Sequence, residues 1–155
     1  MSRLLLLVHI TAVVVFLGNL LITFYWKVMA NKTKDPHVIA FSQRIVSKTD
    51  KVFTVFSASI IAYSGYAYAY KMGVNVVEEP WLLLGQIGFY GSALIWVLLL
   101  RPIQSKQTKM VDIFENSKSI PDEYWALSRR WNFIGTVATI MPLASLVFMV
   151  LKPSL

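Results

Sequence analysis

Two histidines, no cysteine and a few polar side chains inside long apolar runs bound the chemistry open to this 155-residue chain. His9 is the sharpest candidate. It lies about six residues into the apolar run from Leu4 to Trp26, on a helical face shared with Ala12, Val13 and Phe16 and, more obliquely, Asn19 and Thr23. An imidazole at membrane depth can ligate a metal or a haem iron, carry a proton, or hydrogen-bond a neighbouring helix. The second histidine, His37, falls at the far end of the next helix, so the two cannot ligate one haem within one chain. A haem at His9 would be five-coordinate, shared across a dimer, or completed by a methionine such as Met149 or Met72. Arg3, within two turns of His9, is the candidate contact for a haem propionate. Gln86 lies at matching depth in a later span and is a candidate partner of His9. Tyr63, Tyr66 and Tyr70 recur at i, i+3, i+7 and with Tyr90 could line a polar path. A fourth constellation is ionic: Arg44, Asp50, Arg129 and Arg130 fall at the ends of two helices and are expected to form a salt-bridge cluster or an anion and lipid-headgroup site. With no cysteine, disulfides, thiol catalysis and thiolate metal sites are excluded. No G-x-S-x-G, P-loop, H-E-x-x-H or dinucleotide fingerprint occurs.

The elements that position these residues are membrane helices. The chain is 56% hydrophobic, above the roughly 45–50% of soluble domains, and the excess is gathered in four blocks. Spans are expected over residues 4–26, 52–70, 81–100 and 131–151. The first covers about 34 Å, enough for a hydrocarbon core of about 30 Å. It is too long for a cleaved signal peptide and ends on Tyr25 and Trp26, an interfacial pair. Asp35-Pro36 reads as a helix start, so the second helix should begin well before its span. Pro121 with Asp122 and Glu123 marks the same for the fourth. Pro80 and Pro102 read as boundaries of the third, the polar stretch 102–118 as the most mobile segment, and Pro142 as a kink in the fourth. Gly85, Gly88 and Gly91 offer a small-residue surface for close helix contact, within the chain or between chains.

Orientation follows from charge. Of 15 Lys and Arg, twelve lie between Lys27 and Lys51 or between Arg101 and Arg130, and three (Arg3, Lys71, Lys152) lie on the opposite side. The positive-inside bias places both base-rich segments in the cytoplasm and both termini outside. The net charge of +7 thus reads as topology control and contact with anionic lipid, and nucleic acid is not an expected partner. The expectation is a single all-α integral membrane domain over residues 1–155: a transmembrane four-helix bundle with two helices extended into the cytoplasm, in the inner membrane of a bacterium.

Several stretches carry a family resemblance. They are Leu7-Val8-His9-Ile10-Thr11-Ala12-Val13, Gly18-Asn19, Trp26, Asp35-Pro36-His37-Val38-Ile39-Ala40 and Thr49-Asp50-Lys51-Val52-Phe53-Thr54. Ser64-Gly65, Trp81-Leu82, Pro102-Ile103-Gln104 and Tyr124-Trp125-Ala126-Leu127-Ser128-Arg129-Arg130-Trp131-Asn132 complete them. Together they resemble a bacterial family of predicted integral membrane proteins of unknown function. That family is distantly similar to CopD-type copper-resistance proteins and to HemJ-type protoporphyrinogen oxidases. The HemJ similarity implies haem b held by the first-helix His9, serving electron transfer or porphyrin oxidation; Gln86 and Tyr66, from their depth and spacing, are further candidate cofactor contacts. The chain departs from the HemJ pattern, having no Lys or Arg between Trp81 and Leu100, and from copper binding, having no Met-rich or His-rich cluster. The alternatives are a non-enzymatic scaffold or partner subunit, in a homodimer or larger membrane complex, and a small transporter component using His9, Asn19, Gln86 and the tyrosines.

Overall fold

A computed structural model describes residues 2–117 and 119–153; Lys118, one of the twelve clustered bases, lies outside them. Four helices carry the chain: α1 (Ser2–Thr33), α2 (Pro36–Met72), α3 (Pro80–Phe114) and α4 (Asp122–Leu151). Each is long and apolar enough to cross a membrane. Outward-facing Leu4, Leu7, Val14, Phe56, Leu98, Phe133 and Val150 are exposed, as lipid-facing surface should be.

Local chemistry explains the boundaries. The Asp35 carboxylate accepts from the backbone N–H of His37 at 2.8 Å, capping α2 with Pro36 in its first turn. α2 stops at Gly73, whose φ of 65° only a residue free of Cβ strain adopts readily. The N–H of Val74 then reaches back to Ala69 O, satisfying a terminal carbonyl. α4 begins after Pro121 with Asp122 and Glu123 in its first turn.

One expectation about prolines needs correction. Pro102 does not end α3, which stays helical through Phe114. The reason is a π turn at Trp96–Leu100, in which the N–H of Arg101 bonds Trp96 O. One residue is added to the coil immediately before the proline, which relieves the ring and its missing N–H. Pro142 lies inside α4, which continues through it. Lacking an N–H, it leaves the carbonyl of Ala138 without its helical partner, and Ser92 of α3 donates its hydroxyl to that oxygen at 2.5 Å.

The helices pack as two hairpins, α1 with α2 and α3 with α4. The glycine face of α3 meets α4 of the same chain: a Cβ at Gly88 would lie 2.9 Å from the backbone carbonyl of Met141. At the base-rich end the hairpins join through Ile39, Ala40, Val111, Phe114 and Tyr124, and Arg44 bridges to Asp112 at 2.8 Å and Glu115 at 2.6 Å. Toward the other end they separate. Among the described residues, Val55–Met72 of α2 and Pro80–Ile95 of α3 make no close backbone approach. Side chains alone cross the gap: Phe16 against Phe89, with centroids 5.7 Å apart, and Tyr66 to Gln86.

Candidate functional site in a lateral cleft

The gap between the hairpins is a cleft of about 330 Å³. Its walls are apolar and aromatic, with Phe16, Phe89, Tyr90, Trp96 and Trp131 prominent. Its mouth lies between Val55, Ser59 and Ala62 on α2 and Ala93 and Val97 on α3, and its inner end is closed by Thr23, Asp50 and Thr54. The π turn Asp50–Thr54, closed by Val55 N–H on Asp50 O, sets this inner end. Widening one turn keeps both Asp50 and Thr54 on the inward face that continues from Gln43 and Val46 to Ser57, Ile61 and Ser64. The second π turn, Trp96–Leu100, lines the opposite wall.

Asp50 is 5% exposed. One carboxylate oxygen accepts from Asn19 Nδ2 at 3.2 Å and the other from Gln104 Nε2 at 2.9 Å. Asn19 Nδ2 also reaches Thr54 Oγ1 at 2.9 Å. Thr23 donates to Asn19 O at 2.7 Å, and Gln43 Nε2 to Gln104 O at 3.2 Å. A carboxylate offers about four acceptor positions, so Asp50 retains capacity toward the cleft. A buried cation sits one helical turn beyond Thr23. Lys27, 1% exposed, donates to Gln107 Oε1 at 2.6 Å and stands 4.0 Å from the centroid of the Trp131 ring. Lys27 and Asp50 form no direct ion pair, and Gln107 Nε2 and Gln43 Oε1 are buried without partners. Amides and an aromatic face therefore stand between Lys27 and Asp50.

The residues singled out from sequence are distributed differently. Asp50 belongs to this network, not to a cluster with Arg44, Arg129 and Arg130. Arg44 pairs with Asp112 and Glu115, whereas Arg129 and Arg130 are exposed and enter none of the ion pairs among the described residues. The reason is helical phase: Arg44 and Asp50 lie on different faces of α2. Tyr66 and Gln86 do meet, the phenol donating to Gln86 Oε1 at 2.7 Å, while Gln86 Nε2 donates to Val76 O at 2.8 Å. His9 does not reach Gln86. Its Nδ1 lies 3.1 Å from both Ile61 O and Ser64 Oγ on α2. Gly65 makes room for the ring, since a Cβ there would lie 3.1 Å from His9 Cε1. Arg3 is exposed.

An imidazole anchored through Nδ1 to a carbonyl has the chemistry of a metal ligand, with Nε2 left as donor atom. His9 is not among the residues lining the cleft, Met149 packs against Gly85, and Met72 is exposed at the end of α2. Among the described residues no three His, Cys, Asp or Glu converge on a metal position.

Lys27, Gln43, Gln104 and Gln107 were not singled out from sequence. The available signal was Asn19, Thr23 and Lys27 at i, i+4, i+8, one polar face running down the end of an apolar span. Residues 3–153 match the model of a family described as predicted integral membrane protein (DUF2269). No curated protein and no solved structure matches the chain.

Proposed function

The chain belongs to the DUF2269 family of predicted integral membrane proteins, and from that premise we propose that it binds a lipophilic small molecule taken sideways from the bilayer. The apolar body of the ligand occupies the cleft, and its cationic or hydrogen-bond-donating head rests on Asp50. One observation carries this reading: a cleft open between α2 and α3 ends on a buried carboxylate that has spare acceptor positions. A pocket with aromatic walls and a few convergent polar groups is the usual form of a small-molecule site, and an ionisable side chain at membrane depth is costly unless it serves one. In the inner-membrane orientation with base-rich segments in the cytoplasm, Asp50 lies at the inner-leaflet end of the cleft.

The test is binding of dansyl-labelled dodecylamine to the protein in phosphatidylcholine nanodiscs, beside a dansyl-labelled dodecyl alcohol. The amine should bind more tightly. Asp50→Asn should weaken it roughly tenfold to a hundredfold, the span expected for one hydrogen bond to a charged group. Equal binding of amine and alcohol to the native protein would sink the proposal, whatever the variant does.

A second reading keeps His9 as an axial ligand of haem b shared between two copies, for electron transfer or porphyrin oxidation. The anchored Nδ1 supports it. A Soret band in protein made with ample haem, abolished by His9→Ala, is its expected signature, and a flat visible spectrum ends it.

A further inference from the structure

At the base-rich end, α1 and α4 border a second, open concavity of about 340 Å³. Its lining is of a different kind: Lys32 and Asn31 from α1, and Trp125, Ser128, Arg129 and Asn132 from α4. We propose that this notch binds the phosphodiester headgroup of an anionic phospholipid, with Lys32 and Arg129 on the phosphate.

Four observations converge. The first is unspent charge: the ion pairs among the described residues use Arg44 and Lys106 as their cations, so Lys32 and Arg129 face one concavity with no carboxylate against them. The second is a preformed floor. Tyr124 donates to Asn31 Oδ1 at 2.8 Å, and Asn31 Nδ2 donates to Ser128 Oγ at 2.7 Å, fixing α1 to α4 beneath the two cations before any ligand arrives. The third is an unanswered acceptor. Asn132 Oδ1 is buried without a partner, in the place where a headgroup hydroxyl can donate to it. The fourth is what lies next to the notch. Phe133, Val137 and Ile140 descend α4 from Arg129 and Asn132, and Tyr25 and Leu21 descend α1, all exposed. Apolar rows leading out of a basic notch suit acyl chains below a phosphate, and a tryptophan at its rim suits headgroup depth. These rows favour a lipid over a soluble anion, which has no use for them.

The test is native mass spectrometry of the detergent-purified protein titrated with phosphatidylglycerol and with phosphatidylcholine. Phosphatidylglycerol should be retained preferentially. In Lys32→Gln/Arg129→Gln its affinity should fall about thirtyfold, the loss expected on removing two bases from a membrane-surface site. Lys34→Gln/Arg130→Gln, which removes two neighbouring bases outside the notch, should leave the preference in place. An unchanged thermal unfolding transition in Lys32→Gln/Arg129→Gln reports that the variant is folded. Equal loss in both double variants would reduce the effect to general surface charge and overturn the proposal. Full displacement of phosphatidylglycerol by millimolar inorganic phosphate would overturn it in favour of a free-anion site.

Discussion

Asp50 and Lys27 place opposite charges inside one bundle without letting them touch, and this sets what each substitution does. Lys27→Ala removes the cation that compensates Asp50 and opens a hole beside Trp131. A loss of about 3 kcal/mol of stability is expected, read from thermal unfolding in detergent. Lys27→Met keeps the volume and should cost clearly less. His9→Ala forfeits one hydrogen-bonding residue at the membrane and should cost about 1 kcal/mol or less. The sequence made His9 conspicuous, as a lone imidazole in an apolar run is. Asp50 is visible as a charge and groups with Arg44 and the α4 arginines by its place at a helix end, although the stretch from Arg44 to Asp50 runs in regular α-helix and sets the two on different faces. Lys27 opens the first base-rich segment and reads there as topology control. Its burial depends on Gln107, 80 positions away, and no local pattern reports that.

At the scale of the helices, the two π turns decide which side chains meet. Inserting one alanine between Phe56 and Ser57, in the regular helix beyond the first π turn, should turn the rest of α2 by about 100° relative to Asp50. Dansyl-labelled dodecylamine binding should then vanish while helical content stays unchanged by circular dichroism. Ser92 and Pro142 form a compensating pair across α3 and α4. Ser92→Ala should cost about 1–3 kcal/mol by orphaning the Ala138 carbonyl, and adding Pro142→Ala, which restores the helical N–H, should recover most of it. A double-mutant cycle by unfolding measures the coupling. At the base-rich end, the hydrogen bond from Arg44 holds the Glu115 carboxyl below its ordinary value, against the opposing pull of burial. A carboxyl depressed in the folded state contributes stability above its unfolded value and loses it as pH falls through the folded one. Amide exchange in residues 101–114 should therefore rise as pH drops below the ordinary carboxylate range, and Arg44→Gln should abolish that dependence. Helix starts at Asp35-Pro36 and Pro121 were legible because capping is local. The continuation through Pro102 was not, since the π turn that permits it carries no residue signature in Trp96–Leu100.

For the molecule as a whole, four spans and a charge bias were readable from composition and hydropathy alone. The arrangement into two hairpins was not, because it rests on which small-residue face meets which partner. The glycines of α3 settle it: Gly88→Leu cannot be accommodated against Met141, and should separate α3 from α4, lowering the unfolding temperature and abolishing cleft binding together. The hairpins are pinned at one end by a packed core and ion pairs and bridged elsewhere by side chains. Such a body resembles tongs hinged at the handle, and the acyl chains around it press on the jaws. Lateral pressure in the membrane becomes a variable of the binding equilibrium: lipids that crowd the bilayer interior should narrow the jaws and expel the occupant, and tension should admit it. Comparing dansyl-labelled dodecylamine affinity across nanodiscs of graded acyl unsaturation would read that mechanical coupling directly.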